Sequence, residues 1–208
     1  MTTANTARRL TQAERTDRSD RLMLDAAVKL LVERGVARTT LREVGENAGY
    51  SRTLASYRFG GKAGLLEFIV RTIGEDWLRE LTRVTRGLSG YPAMAAATDE
   101  HLRFCLDAPD HVRAFYLLWF ESVGPDSPLK KVMSDIHDRR RRDVAQWIRD
   151  GVAAGAPQPA MPADSIAGQF NTAIVGIVYH WLQHPDDADG VAQLHHDLKD
   201  TMKLLLAA

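Results

Sequence analysis

The stretch Thr39-Thr40-Leu41-Arg42-Glu43-Val44-Gly45-Glu46-Asn47-Ala48-Gly49-Tyr50-Ser51-Arg52-Thr53-Leu54-Ala55-Ser56-Tyr57 carries two short helical patterns on either side of one glycine turn. Thr39-Thr40 offer an N-cap, and Glu43, three residues after Thr40, completes a capping-box pattern. The helix this opens turns Leu41 and Val44 inward and ends by Ala48-Gly49. Ser51 then caps a second short helix through about Tyr57, with Leu54 and Ala55 as inward contacts. That helix exposes hydroxyls, a guanidinium and an aromatic ring, and no carboxylate. Two such helices, braced by a longer helix on each side, form a helix-turn-helix. Its second helix fits a DNA major groove, and its N-terminal amides, with Ser51, suit a phosphate.

Upstream, Leu22, Leu24, Ala27, Val28, Leu31 and Val32 recur at helical spacing in a helix that starts near Thr16 and stops at Gly35. Residues 1–15 are small and polar and read as a flexible arm. Downstream, Gly60-Gly61 breaks the chain before a long helix over about 62–86. Further helical patterns cover about 93–107, 110–123, 127–154, 163–183 and 188–206, divided by glycine and proline breaks. No alternating strand pattern is present. The expected fold is all-α: a three-helix helix-turn-helix domain over 16–62, then a helical ligand-binding and dimerisation domain over 63–208.

Net charge is zero, but residues 1–62 hold 12 Lys and Arg against 7 Asp and Glu, a balance of +5, which the rest of the chain offsets. A basic head on an acidic body suits a polyanion at one end only. The single cysteine, Cys105, excludes an intrachain disulfide and lies in an apolar helical pattern, as a core thiol of a reducing cytoplasm does. Arg8-Arg9 has no apolar segment after it, so it is no export signal, and no window is apolar enough to span a membrane. Gly60-Gly61-Lys62 lacks the spaced upstream glycine of a phosphate loop. No nucleophile–base pair or carboxylate pair sits at a legible spacing, which argues against an enzyme. His180 and His184 have the spacing of a metal pair, yet lack an obvious third ligand, so no metal and no cofactor is expected. Arg139 to Arg142 read as a solvated, ion-paired face.

The opening stretch, continued by Tyr57-Arg58-Phe59-Gly60-Gly61-Lys62 and Leu65-Leu66, closely resembles the DNA-binding domain of TetR-family regulators over about residues 17–75. The resemblance implies that Arg42 contacts bases or phosphate and that Arg52, Thr53 and Ser56 form the outward face of the recognition helix. It also implies that Tyr57 and Lys62 grip phosphates and that Phe59 anchors the turn. Ser56, Arg58 and Gly45 depart from the family's usual tyrosine, histidine and alanine; Arg58 adds a positive charge where a backbone contact is expected. The DNA-binding set is therefore Arg42, Ser51, Arg52, Thr53, Ser56, Tyr57, Arg58 and Lys62.

The same resemblance implies a homodimer on a palindromic duplex, with recognition helices roughly 34–36 Å apart. Its pairing face is expected on the last two helices, at Phe170, Ile174, Ile177, Trp181, Leu194, Leu198 and Met202. It further implies a small organic effector among the middle helices, where His101, Phe104, Tyr116, Trp119, Phe120 and Trp147 are the candidate lining. Such a chain acts as a repressor released by its ligand; an activator or a ligand-independent regulator of the same fold is the alternative, and a pairing module that never meets DNA is another.

Overall fold

The computed structural model describes residues 11–207 and divides them into two units, the first ending at Leu65 and the second beginning at Leu66. Residues 1–10, with most of the expected arm and Arg8-Arg9, lie outside the described residues. Nine helices and no strand occur among the described residues.

In the first unit α1 spans Gln12–Arg38, α2 Leu41–Asn47 and α3 Arg52–Phe59. Helix α1 begins four residues before the expected Thr16 because Thr11 and Glu14 close a capping box that the sequence reading passed over. It breaks, as expected, at Gly35, whose φ of 77° leaves the helical region. Thr39 is fully buried and donates to the Gly35 carbonyl, so Thr40 alone caps α2. The Thr40 hydroxyl accepts from the Glu43 amide and donates to the Glu43 carboxylate at 2.7 Å.

The turn after α2 is a complete Schellman closure. Tyr50 N–H donates to the Gly45 carbonyl at 2.8 Å and Gly49 N–H to Glu46 at 3.1 Å, with Gly49 at φ 79°. Gly45 and Ala55 let α2 and α3 pack closely: a Cβ at Gly45 would sit 3.1 Å from the Ser51 carbonyl and 3.4 Å from the Ala55 Cβ. The core of this unit is formed by Met23, Ala27, Leu30, Leu31, Val44, Ala55 and Leu65. Leu22 and Leu54, expected inside, are each 38% exposed. With α2 and α3 held this close, the small Ala55 fills the interior position. Leu54 instead faces a groove beside Leu22, Tyr50 and Tyr57.

Helix α4 spans Lys62–Thr85, α5 Gly90–Asp107, α6 Pro109–Glu121, α7 Lys130–Ala153, α8 Ala163–Gln183 and α9 Ala188–Ala207. Within the second unit α5 packs on α6, α7 and α9, and α8 packs on α6, α7 and α9. Helices α5 and α7 approach closely at Gly90 and Gly151, where a Cβ on Gly151 would lie 2.7 Å from the Gly90 Cα. None of the described helices is long and apolar enough to cross a membrane.

Candidate functional site

The head's polar face is built by α3 and the start of α4. Arg52, Thr53 and Tyr57 are exposed, Tyr57 to 87%, which is unusual for so large an aromatic without an external partner. Ser51 is engaged as the cap of α3, accepting from the Leu54 amide at 3.2 Å. Arg42 stands on the exposed side of α2, 3.9 Å from Glu46, a loose pair that leaves its guanidinium accessible. Lys62 donates to the Ala37 carbonyl at 3.0 Å, so its ammonium is held in place with further donors to offer. Arg58 has a partner within the head. Its guanidinium is bonded to the Asp20 carboxylate of α1, so this added charge is neutralised within the head.

In the body, the ring-rich middle helices close on two small cavities. One, of about 40 Å³, is lined by Trp77, His101, Arg140, Asp143, Trp147 and Asn171, among others. A second, of about 10 Å³, lies against Phe104, Phe115, Tyr116 and again Trp77, His101 and Arg140. A wider groove of about 280 Å³ runs between α4 and α7 over Gly74, Leu78 and Ile136, and shares Trp77, Arg140 and Asp143 with the first cavity. Trp77 stacks on Phe104 with ring centres 5.6 Å apart and meets His101 edge-on at 5.5 Å.

A chain of hydrogen bonds crosses this region. His195 Nδ1 lies 2.7 Å from the Val191 carbonyl, which can only accept, so Nδ1 carries the proton. The His195 Nε2 lone pair then accepts from His101 Nδ1 at 2.9 Å, and His101 Nε2 is left to accept from the Tyr116 hydroxyl at 3.5 Å. Arg140 donates to the Tyr116 oxygen at 3.4 Å. Burial holds both imidazoles below their ordinary pKa, and His101 lies furthest down, with His195 and Arg140 adding to the effect. Burial also raises the Tyr116 hydroxyl and pushes the Cys105 thiol up to about 12. The imidazoles, the phenol and the thiol are neutral there, beside the charged Arg140 guanidinium.

Residues 23–69 match the family model for the N-terminal domain of bacterial regulatory proteins of the tetR family. The head therefore carries a DNA-binding domain of the tetR family. The TetR likeness extends beyond the head. An HTH-type transcriptional regulator of Bacillus subtilis (strain 168), YfiR, is 22% identical over 94% of this chain and 95% of its own length. A protein of Rhodococcus sp. described as a TetR-family transcriptional regulator superposes with a TM-score of 0.79 at 18% identity, over 91% of this chain and 99% of that one. A Saccharomonospora viridis regulator solved in complex with choline superposes at 0.76 with 19% identity, over 90% of this chain and 96% of its own. The tetR-family domain, with full-length likeness to HTH-type transcriptional regulators, supports a role in DNA-binding transcriptional regulation.

Within the TetR frame, the residues named from sequence separate. Arg42 lies on α2, Arg52, Thr53, Ser56 and Tyr57 on α3, and Lys62 at the start of α4, whereas Ser51 and Arg58 are engaged internally. His101, Phe104, Tyr116 and Trp147 meet at the cavities. Phe120 does not: it is 38% exposed and packs its edge on Tyr179. Trp119 stacks on Tyr116 and approaches His137, outside the lining of either cavity.

Of the residues expected to pair subunits, Phe170, Ile174, Ile177, Trp181, Leu198 and Met202 are buried within this one chain. Their apolar faces are taken by α8 and α9 packing on their own body, so they present no free surface. Leu194 is half-buried.

Arg140 was hidden in the basic run, yet its guanidinium lies over the Phe115 and Trp119 rings at 5.4 and 5.2 Å. The signal was its helical register with Met133, Val144 and Trp147. Arg139, beside it, does face out and pairs with Asp143 at 3.7 Å.

Proposed function

We propose that the protein is a dimeric repressor that reads a palindromic duplex with α3 and leaves it when a small organic molecule enters the body. The observation that carries the DNA half is the polar, carboxylate-free face of α3 with Tyr57 bare at its end, beside the fixed ammonium of Lys62. An exposed tyrosine and hydroxyls next to held cations match a phosphate backbone and base edges better than they match water.

The effector half rests on the cavities. An organic ligand needs roughly 300 Å³ or more, far above the enclosed volume here. Trp77, Arg140 and Asp143 line both the interior cavity and the α4–α7 groove, and in this reading a rotamer change at Trp77 joins the two. Choline is a cation bound by the Saccharomonospora viridis protein. Arg140, paired with rings and no carboxylate, instead favours a ligand with an aromatic or apolar body and an acceptor or anionic group. Ligand binding then selects the body conformation with the joined cavity, and operator affinity falls by the difference in ligand affinity between the two states.

For pairing, the outward strip of α8 is the surface on offer. Thr172, Gly176 and Tyr179 are exposed there, and Phe120 and Val123 add apolar area beside Tyr179. Small residues at helical spacing let a second helix approach closely, which suits a four-helix seam.

Fluorescence anisotropy with a labelled duplex from upstream of the protein's own gene tests the reading. Tight, sequence-selective binding that weakens steeply with salt is the expected result, reversed by a ligand found by its quenching of the Trp77 and Trp147 emission. Equal affinity for scrambled duplexes ends it.

A further inference from the structure

His101 and Cys105 lie one turn apart on α5, and His195 of α9 meets them across the packed interface of the two helices. All three are buried, and one donor atom from each, His101 Nδ1, Cys105 Sγ and His195 Nε2, lies within 4.8 Å of the others. We propose that these three side chains form a metal site that binds one copper(I) ion. It goes beyond the organic-effector reading and does not depend on it.

The donor set points to a soft ion. A thiolate with two imidazoles is the ligand combination of copper and zinc, and thiolate favours copper(I). The Nδ1–Sγ separation of 3.8 Å is about what metal–nitrogen and metal–sulfur bonds of roughly 2.0 and 2.3 Å span at an open angle. The two nitrogens, 2.9 Å apart across a shared proton, part by about half an ångström when a metal replaces it.

Charge selects between the metals. Copper(I) with one thiolate and two neutral imidazoles has no net charge, which an interior accepts. Zinc(II) in the same set leaves one positive charge beside the Arg140 guanidinium and asks for a fourth ligand. Among the described residues no fourth His, Cys or carboxylate joins the cluster.

The second shell is in place. The Val191 carbonyl holds His195 in the tautomer that aims Nε2 at the site, as ligating imidazoles are commonly held. On metal binding Cys105 gives up its thiol proton to solvent, and the His101 proton moves from Nδ1 to Nε2. It is then donated to the Tyr116 oxygen, already 3.5 Å away. One proton leaves for each ion bound. His101 also lines the small cavities, so an ion held there fixes the ring that an organic effector meets.

The test uses the full-length protein, reduced and anaerobic, titrated into the coloured bicinchoninate complex of copper(I). Wild type is expected to withdraw one equivalent. Cys105→Ala and His195→Gln are expected to lose that uptake by tenfold or more in affinity, with helical circular dichroism unchanged. Should a variant fail to fold, copper-edge X-ray absorption on the wild type decides: one sulfur and two nitrogen scatterers support the site. No uptake, uptake by Cys105→Ala equal to wild type, or a spectrum without sulfur overturns it; the last assigns the copper to exposed histidines such as His180 and His184. Stoichiometric binding of zinc(II) with none of copper(I) overturns it also.

Discussion

Arg58 of α3 and Asp20 of α1 form an ion pair that joins the recognition helix to the helix behind it. Among the described residues the other carboxylate oxygen of Asp20 is buried without a partner. Removing the acid should return a cation to the DNA-facing side. Asp20→Ala is expected to tighten binding to all duplexes and to steepen the dependence of log affinity on log salt by about one. Anisotropy titrations across a salt series measure it, and an unchanged slope means that Arg58 does not reach the duplex.

Lys62 and Arg52 should fail differently. Lys62→Ala removes a cation fixed on the Ala37 carbonyl, and the expected result is weaker binding to every operator variant by a similar factor. Arg52→Ala removes an exposed guanidinium at the start of α3, and the ranking of operator variants should change by about 1–3 kcal/mol at one position. A gel-shift panel of single-base operator variants separates the two; identical rankings for both mutants refute the assignment of Arg52 to bases.

Gly64 governs the corner between α3 and α4. A Cβ there would come within 2.0 Å of the Phe59 carbonyl oxygen, a backbone atom that cannot step aside alone. Gly64→Ala is expected to cost about 3 kcal/mol of stability or more, against less than about 1 kcal/mol for Gly61→Ala, whose Cβ meets nothing within 4 Å. Urea denaturation followed by circular dichroism gives both values, and equal midpoints would show that the corner relaxes freely.

Trp181 and Gly176 sit on opposite faces of α8. Trp181→Ala empties a core position and should lower stability by about 3–5 kcal/mol. Gly176→Arg places a charge on the exposed strip and should leave the melting temperature within a few degrees while converting the proposed dimer to monomer. Sedimentation at several concentrations is the readout; a Gly176→Arg protein that stays dimeric moves the pairing face elsewhere.

The helices were legible because glycine, proline and capping residues mark their ends and apolar residues repeat along one face. The Tyr50-to-Gly45 closure is local chemistry, and Gly49 announced it. What could not be read is which helix each face meets. Leu54 and Ala55 are adjacent and both apolar, and only the close approach of α2 to α3 decides that the smaller goes inside. Arg140 looked like its exposed neighbours until Phe115 and Trp119 were placed over it. His101 and His195 are 94 positions apart, and no spacing rule joins residues across that distance. Most of the residues expected to pair subunits are, for a related reason, buried within their own chain. The strongest apolar stripe of a helix is the one its own chain covers first, which leaves the weaker face of small residues for a partner.

Because α8 and α9 bury their stripes against α5, α6 and α7 of the same chain, each body is a finished object before it meets another. In the proposed dimer two copies would therefore come together by docking rather than by co-folding, and would separate without melting. Subunits of such a dimer would be traded between assemblies while each stays folded.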